Sequence, residues 1–245
     1  MNSVINLLNS HRSIRKYSDR PVSQELVETL IGAGQSAATS SFIQACTIIQ
    51  IGHPETRRKL CEYAAGQVYV AKAPVFLVFC ADMQRHRLAC DMHDSSMLSG
   101  YTEQFLTASI DCALFAQNML VAAESVGLGG CYIGAIRNRI AEVDRLLGLP
   151  ELVYPVFGLC LGYPAQDPEP KPRLPLPVVL KQEQYDDTSD TTFIKNYDKS
   201  VREYYRTRTG GTKDSSWSEQ ISEMLEKESR PHMLGYLNSK GFLLQ

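Results

Sequence analysis

A basic run near the start of the chain contains the residue types that bind phosphate. His11, Arg12, Ser13 and Arg15 fall within five residues, directly after a short apolar helical pattern. An arginine guanidinium is always charged, and its planar fork pairs with phosphate through two parallel hydrogen bonds. Ser13, its backbone N–H and His11 add further donors. The run favours a dianionic ligand such as a nucleotide phosphate, with a solvated basic turn as the alternative.

Other stretches contain polar or small residues that could complete such a site. A hydroxyl-rich segment at 39–41 lies between a predicted helix and a predicted strand, and Gln67 is the amide at the centre of a predicted turn. The four residues 127–130 include three glycines, more than a helix C-cap needs. The excess indicates a backbone that must come close to something flat. Together with Lys171 and Arg173, these groups suit a phosphate-bearing cofactor with a polar ring system.

The sequence does not contain the standard nucleotide-binding motifs in the structural context that they require. The glycine cluster ends a helix instead of opening one, and Tyr132 stands where the third glycine of a dinucleotide fingerprint belongs. The sequence has no P-loop and no G-x-S-x-G elbow. His86, Cys90 and His93 have a spacing that suggests metal ligands, but no fourth ligand or second cluster accompanies them. We therefore predict no metal site.

Composition indicates a soluble globular protein. The 245 residues are 44% hydrophobic and 21% charged, which suits one large domain or one domain with an extension. A net charge of −2 gives no reason to expect nucleic acid or an anionic membrane as a partner. The seven scattered cysteines contain no C-x-x-C pair and suit a reducing compartment. No secretory signal is visible. The apolar stretch 105–123 is interrupted by polar residues such as Asp111, which a membrane span would not tolerate. We expect a cytoplasmic protein.

Hydrophobic periodicity and turn residues predict the elements that must position these groups. Ser23 is the expected N-cap of a helix that runs to about Ser36, and the patterned stretch 100–126 predicts a long helix, buried in the core or at a subunit interface. Further helices are predicted at 54–63, 137–147, 191–208 and 216–240, and strands at 46–51, 74–80, 131–134 (strand or turn) and 154–164, with a turn at 65–70 and a charged surface excursion at about 82–100.

A change of composition divides the chain. Prolines alternate with other residues from Pro168 to Pro177, which holds this segment extended and exposed. Two helical patterns follow. We predict a core at 1–175 and a C-terminal arm with helices at 176–245 that embraces the partner subunit of a homodimer.

The chain resembles a known family, the oxygen-insensitive NADPH nitroreductases and NADPH–flavin oxidoreductases of the FMN-dependent nitroreductase superfamily. The resemblance follows the order of the chain over nearly its whole length. The matching stretches are HRSIRKY at 11–17, TSSFIQ at 39–44, GQVYV at 66–70, FCADMQRH at 79–86, AAESVGLGGCYIGAIRN at 122–138, FGLCLGYPA at 157–165, KPRLP at 171–175 and ESRPHMLGYLNSKG at 228–241.

The resemblance implies an α+β nitroreductase fold, in which helices flank a central, mainly antiparallel sheet and two chains form an intertwined homodimer with one FMN in each of two interface sites. It implies that one group of residues holds the phosphate and ribityl end of FMN: His11, Arg12, Ser13, Arg15, Lys171 and Arg173. A second group would line the flavin ring: Thr39, Ser40, Ser41, Gln67 and Tyr69. Backbone N–H groups around Gly130 and Cys131 would face N5, in a wall completed by Leu128, Gly129, Tyr132, Ile133 and Gly134.

The resemblance also implies the activity. NADPH, held at its phosphate by Arg208 and Lys213, would reduce FMN and leave, and a small-molecule acceptor such as a nitroaromatic, a quinone or a flavin would then take two electrons. A cationic helix end is the alternative for Arg208 and Lys213. No side chain need be catalytic, because the flavin performs the chemistry.

Two other functions stay open: a dedicated NADPH:FMN reductase that supplies free reduced flavin, and a flavin-binding sensor without turnover. The chain departs from the family pattern at Thr39, where serine is expected, and at Ala135, where glycine is frequent.

Overall fold

The computed structural model describes residues 2–208, 211 and 213–245, and these residues form two compact units. The first unit contains residues 2–9, Ser13–Gln166 and Arg230–Gln245. The second contains the described residues of Ser10–Arg12 and Asp167–Ser229. The division therefore falls inside the basic run, between Arg12 and Ser13.

An antiparallel sheet of four strands organises the first unit. The strands are β1 (Cys46–Gln50), β2 (Val75–Asp82), β3 (Gly129–Ile133) and β4 (Val153–Gly162), in the spatial order β1-β2-β4-β3. β2 is buried along its whole length and pairs with both β1 and β4. The sheet and its helices confirm the predicted α+β class.

The described residues form eleven helices, most of them short. In chain order they are α1 (Ser3–Asn9), α2 (Gln24–Gln35), α3 (Pro54–Tyr63), α4 (Val68–Lys72), α5 (Gln84–Asp91), α6 (Thr102–Ser125), α7 (Ile140–Leu147), α8 (Leu176–Val179), α9 (Asp190–Thr207), α10 (Trp217–Leu225) and α11 (Met233–Ser239). Ser23 caps α2 as expected, because its side chain accepts a hydrogen bond from the Leu26 N–H.

Alternation along β2 creates a core on each face of the sheet. Phe76, Val78 and Cys80 point to one face and pack with residues of α3, α4 and α7. Leu77 and Phe79 point to the other face and pack with α2 and α6. The central strand is thus covered on both sides, which explains why it reads as one continuous apolar run.

Helix α6 is long and apolar enough to cross a membrane by length and composition alone. Its residues Ala116, Met119, Leu120 and Ala123 are nevertheless fully buried against the sheet. The helix is therefore the core helix that the sequence predicted.

Three sequence predictions need correction. The stretch 65–70, predicted as a turn, already contains the start of α4 at Val68. The helix predicted at 137–147 is a 3-10 segment, Gly134–Arg139, followed by α7. The single helix predicted at 216–240 is two helices, α10 and α11. The break lies before Pro231, whose ring disfavours the helical conformation at Arg230, and Arg230 has a φ of 60°.

The second unit has a small core of its own on α9. Tyr197, Val201 and Tyr205 recur every four residues, so they share one face of that helix, and Trp217 of α10 packs against them. A reciprocal capping box between Ser216 and Glu219 begins α10. The face formed by these tyrosines positions the cations described below.

Candidate functional site

The segment Ser13–Tyr17 lies beside strands β3 and β4 in the first unit. The Ile14 N–H donates to the Gly130 carbonyl over 2.9 Å, and Tyr17 forms an antiparallel bridge with Pro164. The Tyr17 hydroxyl donates to the Ile14 carbonyl over 2.7 Å, and burial raises the pKa of this hydroxyl far above its usual range. This partly buried bond closes a turn of the chain that includes Arg15.

The glycines of β3 permit this close approach. A Cβ at Gly129 would lie 2.4 Å from Cγ1 of Ile14, and one at Gly130 would lie 2.8 Å from Cδ2 of Leu161. Ile14 and strand β4 are thus one reason for these glycines, and the flat ligand that the sequence indicates beside them stays a prediction. Gly127 has a φ of 82° and lies directly after the C-cap of α6.

One backbone N–H of β3 faces the side of the strand on which Ile14 lies. Because the N–H and C=O of a residue in an extended strand point to the same edge, the N–H of Gly130 faces away from β4, as its carbonyl does. This is the strand that the resemblance assigned to backbone donors.

Arg15 is brought next to two other predicted site residues. Burial raises the pKa of the Tyr69 hydroxyl and of the Cys131 thiol, and the positive charge of the nearby Arg15 guanidinium opposes both shifts. The structure therefore gathers Arg15, Tyr69 and Cys131, which lie far apart in sequence. The arrangement provides a cation beside polar groups at the edge of a buried core.

The hydroxyl-rich segment is a strained loop. Ser41, Phe42 and Gln44 have left-handed φ values of 47°, 58° and 57°. Such a conformation costs on the order of 1–3 kcal/mol for each non-glycine residue and persists only when the surroundings hold it. Here the buried Asp111 carboxylate accepts the N–H of Ser40 over 3.1 Å and that of Ala45 over 3.0 Å.

Two predicted ring-lining residues carry buried polar atoms that lack a partner. Among the residues that the structure describes, neither Thr39 Oγ1 nor Gln67 Oε1 has a hydrogen bond. A buried oxygen without a partner is destabilising by roughly 1–3 kcal/mol. Such atoms would be satisfied by a ligand with polar ring atoms, so Thr39 and Gln67 fit a flavin.

The remaining residues of the predicted wall differ in where their side chains lie. Cys131 and Ile133 belong to the core on the α3, α4 and α7 face. Leu128 and Tyr132 belong to the core on the α2 and α6 face, where the Tyr132 ring packs edge-on against Phe157. Gly134 begins the 3-10 segment that follows β3.

In the second unit, three predicted cations surround one tyrosine. Lys171 Nζ donates to the Tyr205 hydroxyl over 2.7 Å, Lys213 Nζ lies 4.8 Å from the centre of its ring, and Arg208 Cζ lies 5.6 Å from it. Burial raises the pKa of Tyr205, but the hydrogen bond from Lys171 and the charges of both lysines outweigh burial and lower it. Lys171 and Arg208, to which the resemblance gave different ligands, thus share a partner.

The other predicted cations of this unit have separate neighbours. Arg12 forms an ion pair with the exposed Asp167 and donates to the Ser10 carbonyl over 3.0 Å. Burial raises the pKa of the Tyr197 hydroxyl, and the positive charge of the nearby Arg173 opposes part of this increase. His11 belongs to the same unit.

Sequence reasoning missed Tyr205 and Asp111 as structural centres of these groups. The pair Tyr204–Tyr205 beside basic residues was a signal for the first. A single carboxylate in the middle of the apolar helix α6 was a signal for the second. Within the described part of the chain, no group of three His, Cys, Asp or Glu side chains could hold a metal.

Comparisons with known proteins cover almost the whole chain. Residues 8–163 match the model of the nitroreductase family and residues 171–245 that of its C-terminal domain. The chain is 45% identical to the NADPH-flavin oxidoreductase of Vibrio harveyi, over 98% of both chains, and 45% identical to the oxygen-insensitive NADPH nitroreductase of Salmonella typhimurium, over 99% of both. A solved structure of NADPH:FMN oxidoreductase from Vibrio harveyi, complexed with NAD+, superposes with a TM-score of 0.92 at 43% identity and full coverage of both chains. These matches confirm the resemblance and the fold that it implied.

We expect Gly129→Ala to displace the segment Ser13–Tyr17, because the new Cβ would collide with Ile14. The free energy of unfolding should fall by about 1–3 kcal/mol, as for other overpacked cores. The Ile14 amide, now bonded to Gly130, should exchange faster with solvent in an NMR experiment. Gly52→Ala is the matched control, since a Cβ there meets nothing within 4 Å. Equal exchange of the Ile14 amide in Gly129→Ala and the wild type would contradict the packing described.

Proposed function

The chain belongs to the nitroreductase family, and we propose from this premise that it is an FMN-dependent NADPH oxidoreductase. It reduces nitro compounds and flavins, and quinones by the same route, through a ping-pong cycle. The observation that carries the proposal is the 45% identity, along almost the whole chain, to two enzymes named for NADPH-dependent reduction of flavins and of nitro compounds. We place it in the cytoplasm, which suits its seven free thiols.

The first unit supplies the residues assigned to the flavin ring and its side chain. Thr39 Oγ1 and Gln67 Oε1 offer buried polar atoms to the ring, together with Ser40, Ser41 and Tyr69. The N–H of Gly130 faces away from β4, as its carbonyl does, and is assigned to the wall of residues 128–134. Ser13 and Arg15 are assigned to the ribityl and phosphate end.

The second unit supplies cations assigned to phosphate groups. His11, Arg12, Lys171 and Arg173 are assigned to the phosphate of FMN. The ion pair of Arg12 with Asp167 does not oppose this role, because the Asp167 side chain is 82% exposed and exposed pairs contribute little to stability. Arg208 and Lys213 are assigned to the phosphate that distinguishes NADPH from NADH.

The chain's own residues bind and orient rather than transfer protons. When bound, FMN would supply reversible two-electron hydride chemistry between NADPH and an acceptor. Arg15 and backbone donors favour the negative charge that a reduced flavin carries. Burial raises the pKa of the Cys131 thiol beside them, so this cysteine stays protonated and does not compete as a nucleophile.

The purified protein should be yellow, or become yellow after incubation with excess FMN. NADPH added without oxygen should bleach the bound chromophore, and nitrofurazone should restore the colour. NADPH oxidation should then proceed with nitrofurazone or with free FMN as acceptor, at comparable turnover of both. Bleaching before any acceptor is added is the expected signature of a ping-pong cycle. A protein that stays colourless in excess FMN contradicts the proposal. A yellow protein that NADPH fails to bleach is a flavin-binding sensor, and turnover of free FMN alone indicates a dedicated flavin reductase.

Arg208→Ala should raise the KM for NADPH by tenfold or more and leave the KM for NADH unchanged, because a guanidinium–phosphate contact contributes on the order of 1.5–3 kcal/mol. Steady-state kinetics with both nucleotides measure the effect. Lys199→Ala is the control, since it removes one positive charge from α9 at a residue bonded to Asn196. An unchanged preference for NADPH in Arg208→Ala would remove this residue from the site.

We propose further that the protein is a homodimer. An apolar stripe lies exposed along the first unit: Leu106, Ile110 and Leu114 follow one another every four residues on α6, beside Val4, Ile5 and Leu8 of α1. Contiguous exposed apolar surface of this kind marks an interface, and the occupant proposed is a second copy of the chain. The exposed Leu176, Val179, Leu180 and Tyr185 fit the role proposed for 176–245, which is to embrace the partner subunit.

Ile110→Glu should convert the dimer to a monomer, because it places a charge in the middle of the apolar stripe. Light scattering coupled to size exclusion should give twice the 27.4 kDa chain mass for the wild type and the single chain mass for the variant. Leu88→Glu is the control, because Leu88 on α5 is as exposed as Ile110, 53% in each case, and lies outside the stripe. A monomeric wild type, or a dimeric Ile110→Glu, would count against this interface.

A further inference from the structure

Asp111 is a buried carboxylate with an unusual position in the chain. It lies in the middle of α6 with 2% of its surface exposed. Its Oδ1 accepts the Ser40 N–H over 3.1 Å and its Oδ2 accepts the Ala45 N–H over 3.0 Å. Burying a carboxylate is unfavourable unless strong donors surround it. An apolar residue would suit the buried face of this helix better, so the role of Asp111 lies in these two bonds.

The two bonds grip both ends of the strained loop. Between Ser40 and Ala45 lie Ser41, Phe42 and Gln44, the three residues with left-handed φ. Ser40 itself is exposed on the surface, yet its N–H is directed into the protein toward Asp111. One rigid carboxylate therefore sets the distance across the loop.

Two residues of α5 hold the middle of the same loop. His86 Nε2 lies 2.7 Å from the Ile43 carbonyl, and Arg85 Nη1 donates to the Gln44 carbonyl over 3.3 Å. These contacts act on carbonyl oxygens, whereas Asp111 is the acceptor for the loop's N–H groups at positions 40 and 45. The loop is thus positioned from the adjacent helices α5 and α6 and not by its own hydrogen bonds alone.

We propose that Asp111 is a positioning residue for flavin binding: by holding the N–H groups of Ser40 and Ala45, it places Thr39, Ser40 and Ser41 against the flavin ring. The inference rests on the FMN binding proposed above. Asp111 does not touch the ring. It acts through the backbone of the loop, and the buried hydroxyl of Thr39 lies one residue before the Ser40 anchor.

Asp111→Asn tests the inference, because the amide keeps one acceptor oxygen and turns an NH2 group toward the other backbone N–H. Thr107→Val is the matched control: Thr107 is a buried polar residue one turn earlier on α6, and its hydroxyl bonds Glu103 instead of the loop. FMN binding to each folded apoprotein is measured by fluorescence quenching. Visible circular dichroism of the bound flavin reports the surroundings of its ring. NMR of the apoprotein follows exchange of the Ser40 and Ala45 amides with solvent.

We expect Asp111→Asn to bind FMN on the order of tenfold more weakly, as for the loss of one charge-assisted hydrogen bond. The visible circular dichroism should change, and at least one of the two amides should lose protection. Thr107→Val should match the wild type in all three. If Asp111→Asn binds FMN as the wild type does, with the same circular dichroism, the inference fails and the proposed function stands. A wild type that binds no FMN ends both.

A variant that fails to fold leaves the wild type as a direct test. The Ser40 and Ala45 amides of the apoprotein should exchange at least tenfold more slowly than amides of an unstructured peptide. Exchange of the Ser40 amide at the unstructured rate would overturn the inference without any substitution.

Discussion

The antiparallel pairing of β2 with β1 and β4 is the constraint on which the first unit depends. β2 is bonded along both edges and buried on both faces, so its side chains must alternate between two separate cores. A slip of one residue would exchange Phe76 and Leu77 between these cores, each of which is built for a different set of helices. The register is therefore strongly specified. The loop before β1 and strand β3, which contain candidate residues of the first unit, are positioned by this sheet.

Backbone proximity, more than acid–base chemistry, characterises the candidate residues. Gly129 and Gly130 let two chain segments meet at distances that any side chain would prevent. Burial raises the pKa of the thiols of Cys80, Cys131 and Cys160, so these potential nucleophiles are protonated at neutral pH. What remains is a set of donors, acceptors and cations. Such a set suits an enzyme whose cofactor performs the reaction and whose chain has to bind and orient it. An open surface over a flat cofactor discriminates among acceptors weakly, in keeping with relatives named for flavin and for nitro reduction.

Local signals in the sequence predicted the elements well and their contacts poorly. The apolar run at 74–80 predicted β2, and Ser23 predicted the start of α2, because both depend on neighbours in sequence. Asp111 accepts the N–H of Ser40, 71 residues away in sequence, and Lys171 donates to the hydroxyl of Tyr205, 34 residues away. Hydrophobic periodicity predicts neither of these long-range contacts. The glycine excess is visible in the sequence, but the approach of Ile14 to Gly129 is another long-range contact that no local pattern predicts. Residue types alone singled out the basic run, the segment 39–41, Gln67, Lys171 and Arg173. The family resemblance assigned their roles and added Tyr69, Arg208 and Lys213.

The charges of the second unit are divided by the kind of partner they have. Arg202 and Arg206 of α9 are bound by the carboxylates of Asp214 and Glu219, so their charge is compensated within the unit. Lys171 and Lys213 instead have Tyr205 and Gln220 as described partners, which are neutral amide and hydroxyl groups. A tyrosine ring can hold several cations close together by attraction to its face, but it does not neutralise them. Solvent and salt weaken their mutual repulsion, and an added negative charge would relieve it further. This arrangement is the physical reason for assigning Lys171 and Lys213 to phosphate groups in the proposal above.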